Sequence, residues 1–269
     1  MTHSPTPQGH VVFVGAGPGA ADLITIRGQR AIDAADIVIW ASSLVHPDIV
    51  ATARGLLVDS AALTTEEVSA HYERAAAEGL TVARVHSGDP AIYGAMHEQL
   101  TVCRSLGLTT EVIPGVSSFT TLAAAVQREL TVAEVAQSIV LTRLEGGKTP
   151  MPPREKVREF ARHGTTMALF LSAARGRQLQ DELVAGGYDE TTPCVIGFQV
   201  SWPDELILEC TLADLAETLR EHKLNRHTLL LIGPALADSS TRSHLYHPGH
   251  FTVHRRADPE ARKVLKASR

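Results

Sequence analysis

Two short stretches replace side chains with bare backbone where a small ligand could approach. Val11-Val12-Phe13-Val14 runs into Gly15-Ala16-Gly17-Pro18-Gly19-Ala20, and the apolar run ending at Val85 runs into Ser87-Gly88-Asp89-Pro90. Each break follows a segment that reads as a buried strand, and open α/β sheets bind ligands at the carboxyl ends of their strands. A small polar molecule is therefore expected at these corners. Gly15-x-Gly17-x-x-Ala20 satisfies the dinucleotide fingerprint as a pattern. That reading also needs an acid at the end of the second strand, where Ile37-Val38-Ile39-Trp40 instead continues into Ala41-Ser42-Ser43-Leu44, with Asp36 ahead of the strand. Pro18 also removes an amide donor from the middle of the anion cradle. Gly147-Lys148-Thr149 looks like the end of a phosphate loop, but the first glycine of that motif falls on Thr142. An uncharged or zwitterionic ligand suits the corners better than a pyrophosphate.

Alternating strands and helices must position these corners. Residues 11–15 predict a strand, 22–35 a helix and 37–40 a second strand, a βαβ opening. Thr64 with Glu67 makes a capping box for a helix that Gly79 ends, and 80–85 returns as a strand. A helix over 91–106 stops at Gly107, and Glu111-Val112-Ile113 leads into Pro114-Gly115-Val116-Ser117-Ser118, which hands over to an alanine-rich helix at 119–127. Strands at 138–142 and 166–171 flank a helix opened by Pro152-Pro153, and a helix near 173–185 closes at Gly186-Gly187. Runs at 194–199 and 206–210, separated by Ser201-Trp202-Pro203-Asp204, predict an antiparallel hairpin, so the second sheet is mixed. A helix opened at 211–214 and a strand at 228–232 complete the core. The expected organisation is a flexible start (1–9), an α/β domain at 10–115, a second at 116–236 and a basic tail from 237 to 269.

Composition narrows the function further. With 269 residues, 44% of them hydrophobic, the chain has ample apolar material for a core. The apolar runs are only strand-length and the start lacks a basic segment followed by a hydrophobic one, so neither a membrane span nor a signal peptide is expected, and the cytoplasm is. Cys103, Cys194 and Cys210 form no Cys-x-x-Cys pair and sit in apolar patterns, as core thiols do. A net charge of −5 argues against non-specific nucleic-acid binding through the whole surface while leaving room for a local basic site, and no nucleic-acid partner is expected. His244, His247, His250 and His254 invite a metal-site reading, but Pro248-Gly249 breaks any shared helix face, and no metal is expected.

Read together, Val-Gly-Ala-Gly-Pro-Gly at 14–19, Ser-Gly-Asp-Pro-Ala-Ile-Tyr-Gly at 87–94 and Pro-Gly-Val-Ser-Ser at 114–118 have the order and spacing of the tetrapyrrole methylases. The chain resembles that family from about residue 10 to about 250. Within it, 39–45, 117–125 and 138–143 are similar to the branch that methylates a corrin precursor. Two departures stand out: Gly19 is followed by Ala20-Ala21-Asp22 where many relatives have an acid at once, and Trp40 stands where a tyrosine is common.

The resemblance implies two α/β domains with mixed sheets and a cleft between them, a homodimer, and S-adenosylmethionine as methyl donor. Carried over by position, it implies donor contacts from Pro18, Ser87, Gly88, Asp89, Ser117, Ser118 and Leu171, with Tyr93 a weaker candidate. The donor carries a sulfonium, an ammonium, a carboxylate, a ribose and an adenine but no phosphate, so close backbone and an acid or two suit it. Asp89 could hold its amino or ribose end, or simply cap the turn before Pro90; the geometry fixed by Gly88 and Pro90 favours the first. Methyl transfer to an electron-rich carbon is an in-line displacement and requires no dedicated base, so none is named. The other ligand would be a tetrapyrrole polycarboxylate. Arg143 foremost, with Arg128, Lys148, Arg154 and Arg175, falls at strand ends or loop edges where a basic rim could meet its acid arms. The competing readings are a methylase of another corrin-ring position or of uroporphyrinogen III, a nicotinamide-dependent oxidoreductase, and a tetrapyrrole carrier without catalysis.

Overall fold

The computed structural model describes residues 8–146, 149–238, 241 and 246–267; Lys148 and His244 lie outside them. The chain divides into two compact units. The first holds the chain through Val126 with Ile196–Leu208 and Leu224–Leu229, and the second holds Gln127–Val195, Glu209–Lys223 and the chain from Leu230 onward.

In the first unit come β1 (His10–Gly15), α1 (Ile26–Ala34), β2 (Ile37–Trp40), β3 (Leu56–Asp59), α2 (Thr65–Glu78), β4 (Thr81–His86), α3 (Met96–Ser105), β5 (Thr109–Ile113) and α4 (Ser118–Ala125). Its sheet has the order β3-β2-β4-β1-β5, with parallel pairing of β1 to β4 and β5 and of β2 to β3 and β4. Along β1, Val12 and Val14 join a cluster with Ile32 of α1, while Val11 and Phe13 join one with Tyr72 of α2 and Cys103 of α3. Both faces of the strand are therefore covered, which is why its sequence is an unbroken apolar run. The connection from β1 passes β4 to reach β2, whereas the connection from β4 passes β1 to reach β5. Leaving in opposite directions, the two chains open a crevice at the carboxyl ends of adjacent strands. That topology sets Gly15–Ala20 beside Ser87–Pro90.

Local chemistry fixes the element ends. The Thr25 hydroxyl accepts from the Gly28 amide at 3.0 Å and starts α1 at Ile26, so residues 21–23 form a single 3-10 turn rather than the first turn of a helix from 22. Thr64 and Glu67 complete the expected capping box of α2, and Gly79 closes that helix at φ 70°. The helix expected from 91 begins only at Met96, because Tyr93 and Ala95 adopt φ of 54° and 47° and break the preceding turn. The edge strand β3 carries no alternation in its sequence: Leu56 and Leu57 are both about half exposed.

The remaining strands and helices are β6 (Ile139–Arg143), α5 (Val157–Ala161), β7 (Thr166–Phe170), α6 (Gly176–Gly186), β8 (Pro193–Phe198), β9 (Leu206–Thr211), α7 (Leu215–Glu221), β10 (Thr228–Ile232) and α8 (Pro259–Ala267). Their sheet has the order β6-β7-β10-β8-β9 and is mixed, with β6 parallel to β7 and β10 antiparallel to it. Met167 and Leu169 of β7, Leu230–Ile232 of β10 and Leu179 and Leu183 of α6 are among its fully buried side chains. α8 lies within what the sequence marks only as a tail. Its signal is Asp258-Pro259-Glu260: the Asp258 carboxylate accepts from the Ala261 amide at 2.8 Å, with proline at the first helical position.

Candidate functional site

Three glycine corners of the first unit meet backbone to backbone. The Gly88 amide donates to the Gly17 carbonyl at 2.7 Å, the Gly17 amide donates back at 3.2 Å, and the Ala16 amide donates to the His86 carbonyl at 2.8 Å. Gly17 and Gly88 hold φ of 81° and 64°, which only glycine adopts without cost. The third corner packs against both, since a β-carbon on Gly115 would lie 2.1 Å from the Gly88 carbonyl oxygen and 2.8 Å from the Gly15 Cα. Gly88 itself is different. A β-carbon there would meet only the Ser117 Cα, at 3.9 Å, so open space lies between the second and third corners.

Asp89 ties these corners together. One carboxylate oxygen accepts from the Ala91 amide at 2.8 Å and the other from the Gly115 amide at 3.0 Å. Beside it, Ser87 is exposed, Tyr93 is 48% exposed at a positive φ, and Ser117 is buried at the start of α4. The Ser117 side chain makes no capping bond, while its carbonyl accepts from the Thr120 and Thr121 hydroxyls. Ser118 is the first residue of that helix.

A residue that sequence reasoning missed supports the first corner. The Trp202 indole Nε1 donates to the buried Pro18 carbonyl at 3.0 Å, and a β-carbon on Gly19 would lie 2.2 Å from the Trp202 ring. Next to it the Ser201 hydroxyl accepts from the Ala20 amide at 3.0 Å, and His46 meets the indole edge-on at 5.0 Å. Glycine at 19 is therefore required by the indole that lies on it. Trp202→Phe keeps most of the ring but strands the Pro18 carbonyl, and about 1–3 kcal/mol of stability is expected to go with it. Trp202→Ala should cost about 3–5 kcal/mol, as large aromatic truncations do. Urea unfolding of both variants checks the ranking: parent-like stability in Trp202→Phe would mean that the hydrogen bond contributes nothing, and equal losses would mean that the packing of the ring contributes nothing.

Beneath the second corner, His86 is 8% exposed and stacks on Phe13 with centroids 5.9 Å apart. Its Nε2 has no hydrogen-bond partner among the described residues. Burial, reinforced by the Arg84 guanidinium, pushes its pKa from 6.5 down to about 3. Arg84 is held by Gln99 at 2.9 Å and the Ser60 hydroxyl at 3.0 Å, and Tyr72 donates to the same Gln99 oxygen at 2.8 Å. The unfolded chain protonates His86 below about pH 6.5, whereas the native fold refuses that proton until about pH 3. Stability tied to this residue is thus complete above the upper value and is lost as pH falls, by about 2 kcal/mol at pH 5. Urea midpoints at pH 7 and pH 5 should drop less in His86→Phe than in the parent chain, and an equal drop would contradict the assignment.

The expected cations sit in the second unit, and most are engaged. Arg143 at the end of β6 donates to the carbonyls of Leu144 at 3.3 Å, Thr149 at 3.2 Å and Pro150 at 3.5 Å. Arg175 reaches the carbonyls of Leu144 and Glu145. These two guanidinium groups clamp the loop after β6. Arg128 pairs with Asp238 at 2.6 Å through one end group, while its buried Nε has no partner among the described residues. Arg154 is exposed on a 3-10 turn. Lys148 falls outside the described residues. Leu171, just past β7, is 71% exposed at φ 53°, an uncommon conformation for a branched side chain. Ser172 pins its neighbours, donating to the Phe170 carbonyl at 2.7 Å and accepting from the Leu144 amide at 2.8 Å.

The sequence profile of the tetrapyrrole (corrin/porphyrin) methylases matches residues 10–216. A cobalt-precorrin-4 C(11)-methyltransferase of Methanocaldococcus jannaschii is 41% identical over 84% of this chain and 88% of its own length. A precorrin-4 C(11)-methyltransferase of Mycobacterium tuberculosis is also 41% identical, over 88% of this chain and 95% of its own. Among solved structures, a cobalt precorrin-4 methyltransferase of cobalamin biosynthesis superposes with a TM-score of 0.82 at 38% identity, covering 85% of this chain and 96% of that one. The uroporphyrin-III C-methyltransferase of Thermus thermophilus, crystallised with S-adenosyl homocysteine, gives 0.72 at 28% identity, covering 85% of this chain and 99% of that one.

Proposed function

This chain belongs to the tetrapyrrole (corrin/porphyrin) methylases, and on that premise we propose that it transfers the methyl group of S-adenosylmethionine to C11 of precorrin-4, or of its cobalt-containing counterpart, in cobalamin biosynthesis. The observation that carries the reading is the open space at Gly88, bounded by backbone and free of any β-carbon. Such a cradle fits a ligand that carries amine, carboxylate and hydroxyl groups rather than phosphates. Relatives with both substrate names stand at 41% identity over more than four fifths of the chain.

In this reading the donor lies against Pro18, Ser87, Gly88, Asp89, Tyr93, Ser117, Ser118 and Leu171. Bound there, it supplies a methyl group made electrophilic by an adjacent sulfonium. The Asp89 carboxylate positions rather than reacts: with one lone pair of each oxygen given to Ala91 and Gly115, it holds the second and third corners in register. The Ser117 hydroxyl, not used for capping α4, is available to a ligand's polar groups. The protein's contribution is alignment and exclusion of water, and alignment alone is worth on the order of 7–11 kcal/mol in intramolecular analogues. Acetate and propionate arms of the tetrapyrrole are assigned to Arg143, Arg128 and Lys148. The proposal extends to a homodimer acting in the cytoplasm. Separately, no helix among the described residues is long and apolar enough to cross a membrane.

The test is incubation with precorrin-4, or with its cobalt form, and a donor whose methyl carbon is isotopically labelled. The expected product is heavier by one methyl group, with the label located at C11 by NMR. Label at a different ring carbon would move the chain to another methylase of the pathway, and unchanged tetrapyrrole from a donor-binding protein would overturn the reading.

A further inference from the structure

Two of the three cysteines, separated in sequence, share one place in the second sheet. β8 and β9 are neighbours joined only by residues 199–205, too short for a parallel crossover, so they form an antiparallel hairpin. The Leu212 amide donates to the Thr192 carbonyl at 2.9 Å, which sets these residues opposite one another. Two steps along each strand, Cys194 then faces Cys210. Residues opposed in such a ladder have Cα atoms about 4.5–5.5 Å apart and side chains on one face, within the about 4.4–6.8 Å that a disulfide spans. Each thiol perturbs the ionisation of the other, as facing neighbours do.

We propose that Cys194 and Cys210 form a peroxide-reactive dithiol that closes into a cross-strand disulfide at the base of this hairpin. The two sulfurs have different surroundings. Cys194 is fully buried, and its S–H also lies 3.6 Å from the Thr192 carbonyl. Cys210 is only partly buried and is the more accessible of the two. The neighbouring Cys194 thiol holds Cys210 below its ordinary pKa against the pull of burial, and the same pairing, with burial, raises Cys194. Cys210 is therefore the nucleophile and Cys194 the resolving thiol. Its thiolate sulfur attacks one peroxide oxygen, the O–O bond breaks, and the departing hydroxide takes up a proton to leave as water. The resulting Cys210 sulfenic acid is attacked by the Cys194 sulfur; an S–S bond forms, and the sulfenic hydroxyl leaves with the Cys194 proton as a second water. Two electrons pass from the sulfurs to the peroxide, and a dithiol reductant returns them.

The whole protein, exposed to a small molar excess of hydrogen peroxide and then denatured under acid, should lose two of its three titratable thiols and about 2 Da of mass, both regained with dithiothreitol. A peptide map should show the segments bearing Cys194 and Cys210 linked. Cys103, buried in the first unit with its pKa pushed up to about 11, should react at least about tenfold more slowly. In Cys194→Ser, dimedone should trap a sulfenic acid on Cys210, whereas Cys210→Ser should show no mass loss; the linked peptide of the parent chain decides the matter if either variant fails to fold. Three intact thiols after treatment, or oxygen added to Cys210 without linkage to Cys194, would overturn the proposal. None of these readouts depends on methyl transfer.

Discussion

Gly88→Val protein is expected to fold and to bind S-adenosylhomocysteine at least about 100-fold more weakly than the parent chain, a loss of about 3 kcal/mol. Two effects separate in this substitution. A branched residue at φ 64° costs about 1–2 kcal/mol of stability, which leaves an ordinary domain folded. The new β-carbon itself meets almost nothing beyond its chain neighbours, because the Ser117 Cα at 3.9 Å is the nearest other atom. Its methyl groups would therefore occupy the space assigned to the donor. Gly88→Ala shares the backbone cost with less bulk and should lose less affinity. Calorimetric titration of both variants checks this order, and undiminished affinity in folded Gly88→Val would remove the second corner from the site.

The second large effect is expected from Gly115→Ala. One methyl group suffices here, because the new carbon would lie 2.1 Å from the Gly88 carbonyl oxygen and within 2.9 Å of two backbone atoms of Gly15. No flexible side chain can move aside; the third corner must shift away from the other two. Overpacking typically costs about 1–3 kcal/mol, and with backbone on every side the upper end is expected. The shift would also pull the Gly115 amide from Asp89, loosening the carboxylate that joins the corners. Lowered thermal stability together with lost donor affinity is the expected outcome. Full affinity at parent stability would show that the close approach of the three corners is not needed.

The two glycines illustrate what the sequence discloses and what it conceals. β1 is recognisable because it is covered on both faces, so apolar residues run without interruption until glycine breaks them; β4 likewise sends Val82, Ala83 and Val85 into the core, although Arg84 and His86 interrupt its run before Gly88. That the breaks lie side by side follows from strand order, which no local pattern contains. The capping box of α2 was legible for the opposite reason, since all its parts lie within four residues. Trp202 was not legible as a support of the first corner. It lies 184 residues from the Pro18 carbonyl to which it donates, and its own segment reads only as a hairpin turn. Likewise, a basic residue at a strand end looks the same in sequence whether it faces solvent or clamps carbonyls, as Arg143 and Arg175 do. The late start of α3 was hidden because positive φ at Tyr93 and Ala95 is imposed by the surrounding turn, against the preference of both residue types.

The central claim is that the glycine corners and the start of α4 enclose the methyl donor. A crystal structure of the full chain grown with saturating S-adenosylhomocysteine tests it most directly. The ligand should lie against the Gly88 backbone, in contact with Ser117, with Asp89 still bound to the Ala91 and Gly115 amides. Electron density for the ligand elsewhere on the protein, or none at the corners under saturation, would contradict the account.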